Sequence, residues 1–530
     1  MVNSAISLWE GTLRASILMT VQHLQSTWRR CCGLLGPMNK TYKKWNPTEP
    51  FLLPPSPSEW LPEGHLAYFI LDVLDELDLS QIEMGIQNKD ARGERPYNPV
   101  MMVGLLLYGY CVGVFSSRKL ERATYEDVAF RVLASGQHPH FTRIAAFRRR
   151  HLDALRDLFV QVLMLCGKAG LVKLGHVALD GTKIQANASK HKAMSFERML
   201  QMELRLGEEV DALLNQAAQA DEADDHRYGV GCREEDLPSE LRRREDRRAR
   251  IREAKSKLEE EAGQARARNL RKQAKRAEER AATHDDPVER KRAATVAKNR
   301  RTKAHELDPE GDDNHFHPPK TNDGLPKHEP QTKTDGAPHD KAQMNFTDAD
   351  SRIMESGGSF LQGYNCQAAV DEESQIIVGQ AACNKCPDNG NLVPMAEQVV
   401  GNCGQAPSTM TADAGYWEPN APEKCEELGI DVYISTRRCK HGESEKTCES
   451  VPEDGSALEK MRHKCATKEG KQIYARRKAV VEPVFGQIKE ARGFRRFLLR
   501  GLRKVQAEWA LVCTGHNLLK LYKACQVQAL

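Results

Sequence analysis

The chain lacks an apolar run long enough to span a bilayer. Its longest, Val100 to Phe115, has 16 residues with three glycines and two tyrosines inside it, against the ~20 that a membrane helix needs. A buried helix is expected there, and no membrane partner. A clean leader is missing as well. Glu10 and Arg14 interrupt the apolar stretches at the amino terminus, so no signal peptide is expected and the chain should stay in the cytoplasm. Cysteine is thin for the length, 15 in 530 residues and odd in number, which suits reduced thiols and excludes a secreted disulfide framework. A dominant charge of one sign is absent too, since 78 Lys and Arg against 74 Asp and Glu leave +4. That average hides a local excess. Residues 471–530 hold 13 Lys or Arg against three Glu, a balance that suits a phosphate-bearing partner. At 40 % hydrophobic residues the chain can build real cores, about three to four domains at ~150 residues each.

Composition divides the chain. Residues 1–45 stand apart as an extension that is expected to be dispensable, with Met38 opening a basic stretch that leads into the Pro-rich arm Pro47 to Pro62. From Leu66 to about Leu174 apolar residues recur at three- and four-residue steps, predicting an all-helical domain over residues 46–172. Within it, Phe141 to His151 holds four arginines behind Thr142, the expected N-cap. That helix suits a DNA surface, and a solvated charged face accounts for it equally. His176-Val-Ala-Leu-Asp180 reads as a short strand ending on an acid, with Gly181 as a turn residue. Residues 196 to about 300 read as helix, and the apolar positions Leu241, Ile251, Leu258 and Leu270 are too sparse for heptads, so a solvated hairpin is expected rather than a coiled-coil dimer. Residues 305–342 read as a flexible return, closing an insertion over 196–342.

Strand signals resume at Gly363 to Val370 and Gln375 to Ala382 around the polar turn Asp371 to Ser374, predicting a hairpin. A helix (391–400), a strand (408–412) ending at Asp413, a helix (421–428), a strand (431–435) and a basic helical segment follow. The fold class is mixed α/β, a mixed sheet flanked by helices over residues 173–195 and 343–525.

Two of these strands end on Asp180 and Asp413, and Glu482 opens the basic segment. Strand ends of α/β sheets are where ligands gather, and carboxylates brought together need a divalent cation such as Mg²⁺ or Mn²⁺ to offset their repulsion. From spacing alone, solvated strand-end acids explain the same residues.

The surrounding motifs are more specific. Leu179-Asp-Gly-Thr-Lys-Ile-Gln-Ala-Asn-Ala-Ser189 resembles the first acidic motif of bacterial insertion-sequence transposases of the DDE class. Asn345 to Met354 with Gly363 to Asp371 is similar to their second strand pair, and Thr411-Ala-Asp-Ala-Gly-Tyr416 to their second acidic motif. Val480-Val-Glu-Pro-Val-Phe-Gly-Gln-Ile-Lys489, then Gly493-Phe-Arg-Arg-Phe497, is similar to their third, and the likeness runs from Trp45 to the end, including Arg95-Pro-Tyr-Asn-Pro99. It implies an RNase H-like core interrupted by the helical insertion, in which Asp180, Asp413 and Glu482 bind two divalent cations, Mg²⁺ or Mn²⁺. It also implies DNA contacts by Lys183, Asn187, Lys478, Lys489, Arg495, Arg496 and Arg500. The implied partners are the element's inverted repeats and target DNA, bound by a homodimer at the nucleoid. The family usually places Arg four residues before the Glu of its third motif, where this chain has Lys478 between Arg477 and the acid. A regular helix through Glu482 would place Lys489 on nearly the same face, ~10.5 Å further along the axis.

Other candidates are weaker. Cys383 and Cys386 form a single CxxC, with Cys439, His441, Cys448 and Cys465 at poor spacing for zinc. His315, His317, His328 and His339 read as part of the flexible tract, and Tyr416 and Trp417 as strand-end packing or as stacking partners for a flipped base. Two other functions use the same residues: a catalytically silent DNA-binding protein derived from a transposase, and a nuclease that cuts without joining.

Overall fold

The computed structural model describes residues 42–46, 57–87, 95–228, 239–312, 314, 316–436 and 455–528. Met38, most of the amino-terminal extension, and Cys439, His441 and Cys448 lie outside the described residues. Apolar periodicity produces helices α1 (Leu66–Glu76), α2 (Ser80–Gln87), α3 (Pro99–Val112), α4 (Ser117–Glu126), α5 (Val128–Leu133), α6 (Phe141–Arg150) and α7 (Leu152–Lys168). Helix α3 is the apolar run. Asn98 starts it by accepting from the Val100 N–H at 2.8 Å, Pro99 stands in its first turn, and Gly113 ends it at φ 82°. Its residues are buried on every side, as a run without a polar stripe must be. By length and composition no single helix among the described residues crosses a membrane, though α3 and α4, bent by 96°, pass that test as a pair. The cap of α6 differs from expectation. His140, whose ring nitrogen accepts from the Thr142 N–H, is the N-cap, and Thr142 lies inside the first turn.

The remaining elements are β1 (His176–Gln185), β2 (Ala193–Ser195), α8 (Phe196–Tyr228), α9 (Ser239–Thr283), α10 (Pro287–Leu307), β3 (Gln343–Asn345), β4 (Arg352–Ser356), β5 (Ser359–Asp371), β6 (Ile377–Cys383), α11 (Leu392–Cys403), β7 (Thr409–Ala412), α12 (Ala421–Glu427), β8 (Asp431–Ile434), α13 (Ala457–Ala466), α14 (Lys468–Gly486) and α15 (Leu502–Gln528). Five strands run in the order β4-β5-β1-β7-β8, with β6 paired to β5. β1 is antiparallel to β5 and parallel to β7, and β7 is parallel to β8, so the sheet is mixed. Gly357 and Gly358, at φ 58° and 75°, make the tight turn between β4 and β5, the two positive φ angles that such a hairpin requires.

One hydrophobic core joins the amino-terminal helices to the sheet, with α15 at its centre against α7, α3 and β6. The fully buried Trp509 donates its indole N–H to the Gln367 carbonyl at 3.1 Å, and Asn517 exchanges two hydrogen bonds with Ile377 at the start of β6.

The insertion holds three helices, of which α9 and α10 form a hairpin around residues 284–286. Ile251, Ala254 and Leu258 of α9 pack on Phe196, Met199 and Leu206 of α8, and further along α9 Ala267 and Leu270 meet Ala304 of α10. The return, expected as a flexible tract, is fastened at several points. The buried Asp323 pairs with Arg156 and accepts from Gln506 at 2.7 Å, Leu325 is buried, and the His328 N–H donates to Asn384 Oδ1 at 2.8 Å. Composition hid these anchors because Asp, Thr and Pro serve turns as readily as disorder.

Candidate active site

Strand pairing brings two of the acids together. β1 and β7 run parallel with His176 opposite Thr409, Val177 opposite Met410 and Ala178 opposite Thr411. Two residues further on, the same register sets Asp180 level with Asp413, just past the end of β7. Carboxylates 233 residues apart thus share one end of the sheet, where ligands of α/β sheets collect. β1 does not stop at Asp180. Its pairing with β5 continues through Gly181 opposite Gln367 to Gln185 opposite Gly363. Gly181, expected in a turn, is mid-strand, paired with Gln367 of β5, and only glycine fits there: a Cβ would stand 2.7 Å from Asp388 Oδ1 and 2.7 Å from Gln367 Nε2.

Asp180 is half-buried. One oxygen accepts from the Gly181 N–H at 2.8 Å and the other from Arg477 Nη1 at 2.7 Å. Burial raises its carboxyl above the usual carboxylate range, and Arg477 opposes that rise. Arg477 is itself buried on α14. Burial disfavours its charge, yet Asp180, Tyr474 and Asp413 outweigh that and hold the guanidinium protonated. The basic residue that meets the acid is therefore Arg477, while Lys478 points to solvent.

Asp388, absent from the sequence-based set, completes the acidic end. It lies between β6 and α11, where its Oδ1 accepts from Asn365 Nδ2 at 2.7 Å and Gln367 Nε2 at 2.9 Å, with Lys183 Nζ at 3.5 Å. Its Oδ2 faces the other acid: a Cβ on Gly415 would stand 3.5 Å from Asp388 Oδ2 and 3.0 Å from Asp413 Oδ1. Tyr416 reports on all three carboxylates. Its buried phenol donates to Gln367, and burial, then Asp388, Asp180 and Asp413, push its pKa well above the usual value. That burial removes Tyr416 from any base-stacking role. A signal for Asp388 was present in Cys386-Pro-Asp-Asn-Gly390, a third strand-end acid placed just before a helix.

Glu482 stands apart. It is exposed on α14 with no hydrogen bond or ion pair to other described residues, and five residues turn a helix by about 140° from the buried Arg477. Among the described residues, no three His, Cys, Asp or Glu side chains are grouped so as to hold a metal ion, Cys383, Cys386 and Cys465 included. In kind, the oxygen-only donors of Asp180 and Asp413 fit a hard divalent cation. The guanidinium against Asp180 shows that this place demands positive charge.

The basic residues form a second group beside this end. Asn187 donates to the Leu498 carbonyl at 2.8 Å, its carbonyl accepts from Arg500 Nε at 2.9 Å, and Arg496 Nη2 lies 3.4 Å from its Oδ1. Asn187 thus ties the end of β1 to the loop that carries Arg496 and Arg500, both exposed, while Arg495 pairs with Glu490. Lys489 departs from the regular-helix expectation. α14 ends at Gly486 and residues 487–491 wind as a π-helical turn, which re-aims side chains. Lys489 is half-buried, with burial lowering its pKa while Cys366, Arg495 and Lys183 lie near.

Residues 55–150 match a family model described as "Transposase domain (DUF772)", and residues 435–522 match one described as "Transposase DDE domain". The second stretch holds Arg477, Glu482, Lys489 and the 495–500 loop, while Asp180, Asp388 and Asp413 lie outside both. No curated protein and no solved structure matches the chain. These two matches, one over the amino-terminal helices and one over the carboxyl-terminal basic segment, indicate a transposase of the DDE family.

Proposed function

We propose that the protein binds the ends of an insertion sequence as a homodimer and catalyses DNA strand cleavage and strand transfer on an RNase H-like core. The observation that carries this reading is the parallel pairing of β1 with β7, which sets Asp180 level with Asp413. Asp180 and Asp413 would hold divalent cations, Mg²⁺ or Mn²⁺, and Glu482, exposed on α14, would have to turn toward them to serve as the third carboxylate. Two such ions activate a water or a 3′-hydroxyl and stabilise the leaving oxygen in attack on a phosphodiester. The chain's own groups do the rest. Arg477 neutralises Asp180, and beside the acid it would also lie within reach of a DNA phosphate brought there. Its planar fork suits that oxygen geometry. Lys183 and Lys489 supply positive charge beside the acids, and Arg495, Arg496 and Arg500 draw the strand toward them, with Lys478 on the outer face of α14. Asn187 positions the arginine loop.

The test uses the DNA that flanks the reading frame, where this reading expects inverted repeats, with Mg²⁺ or Mn²⁺. Nicked and strand-transferred products are expected, and Asp180→Ala, Asp413→Ala and Glu482→Ala should each abolish both while leaving DNA binding intact. Cleavage without joining identifies a nuclease. The exposed Glu482 favours a further reading, a silent DNA-binding protein, and binding without cleavage in either metal would establish it.

A further inference from the structure

Outside the acidic end, a cavity of about 210 Å³ opens between the segment 95–98 and α6. Arg95 and Tyr97 stand on one side and Arg143 and Arg150 on the other, over a floor that includes Met102 and Phe147. No acid lines it. Neither Arg95 nor Arg150 pairs with an acid among the described residues, and both are exposed. Met102 and Phe147 are 2 % and 8 % exposed, so the floor is part of the core and does not collapse into the space. Lys43 lies 4.3 Å from the centre of the Tyr97 ring and adds a further cation behind it.

A cationic rim over an apolar, aromatic floor calls for a ligand that is anionic at one end and flat and apolar at the other. A bare phosphate needs the rim and has no use for the floor, whereas an aliphatic ligand needs the floor alone. A nucleotide turned out of a DNA strand needs both: its phosphate meets the arginines, and its base stacks on aromatic and guanidinium planes. We infer that this cavity is a binding site for one unstacked nucleotide of a DNA strand, held by Arg95 and Arg150 at the phosphate and by Tyr97 and Phe147 at the base. The inference rests on DNA being the partner and adds where an unpaired strand is gripped, away from the carboxylates.

The experiment compares a fluorescein-labelled blunt duplex with the same duplex carrying a four-thymidine 3′ overhang, by anisotropy over a salt series with full-length protein. The wild type is expected to bind the overhang DNA about fivefold or more tightly, the lower bound for one stacked base. Arg95→Gln with Arg150→Gln should flatten the slope of log affinity against log salt for the overhang DNA by about 1.4 units, two single-strand phosphate contacts. Ala146→Trp, which fills the cavity and leaves the arginines in place, should remove the preference with blunt-duplex affinity unchanged. Equal wild-type affinity for the two DNAs, or a preference that survives both variants, overturns the site. Failure of the wild type to bind any DNA overturns the proposed function itself, and the site with it.

Discussion

Glu508 is a buried charge on which the arginine loop depends, and Glu508→Ala tests that dependence. Its side chain is wholly buried in α15 and accepts from the Leu498 N–H at 3.0 Å, the Leu499 N–H at 2.9 Å and the Tyr110 hydroxyl at 3.4 Å. Arg148, also buried, reaches the same hydroxyl at 3.3 Å. Burial pushes the Glu508 carboxyl up, and Arg148 together with the two backbone N–H groups pulls it back. Removing the carboxylate leaves each N–H unsatisfied at a cost of roughly 1–3 kcal/mol. It also removes the negative charge that acts on Arg148 through the shared Tyr110 hydroxyl, and leaving a buried charge uncompensated costs up to about 3–5 kcal/mol. The two costs describe one desolvated cluster and overlap, so a loss of about 3–5 kcal/mol is expected. Hydrogen exchange reads it locally, because sub-global opening exposes the loop before the sheet. At ~1.4 kcal/mol per tenfold, exchange at Leu498 and Leu499 should quicken by roughly 100-fold or more. Glu508→Gln keeps one acceptor oxygen and should fall between. DNA affinity should drop in the same order, since Arg496 and Arg500 hang from this loop. Unchanged protection at Leu498 and Leu499 in Glu508→Ala would refute the reasoning.

Further expectations concern single side chains. Lys489→Ala should flatten the slope of log DNA affinity against log salt by about one unit; an unchanged slope together with unchanged cleavage would return this half-buried lysine to a packing role. Asp388→Asn keeps an oxygen for the Asn365 and Gln367 amides, so melting should be little changed while cleavage falls, and full cleavage would confine Asp388 to fastening its loop. His328 has its pKa lowered to about 4, first by burial and then by Arg352. The unfolded chain therefore binds a proton that the native imidazole refuses, and stability present above the ordinary histidine pKa of 6.5 is lost as pH falls through about 4. His328→Gln should flatten melting temperature against pH over that window, and an unaltered profile would show that His328 titrates as it does when unfolded.

Local order was legible in the sequence because it depends on neighbours a few residues away. The apolar run at α3, the alternation of β5 and β6, and the helix-strand-helix-strand series from α11 to β8 lie within a few residues of where pattern placed them. Departures arose where a distant group decided a local choice. Gly181 stays in the strand because β5 pairs with it, and Thr142 yields the cap of α6 to His140. The return after α10 reads as disorder until Arg156 and Gln506 take up Asp323.

The candidate site divides along the same line. By itself the sequence singled out candidates for the chemistry: Asp180 and Asp413, expected at strand ends, and the basic segment around Glu482. Only the tertiary structure decided which of them meet. The parallel pairing of β1 with β7 sets Asp180 beside Asp413, β6 and α11 deliver Asp388, α14 turns Arg477 to the acid in place of Lys478, and Glu482 is left exposed. Strand order and helix phase are set by burying apolar surface over the whole chain. A charge pair across 297 residues, such as Arg477 with Asp180, is a by-product of that packing and leaves no periodic trace in the sequence.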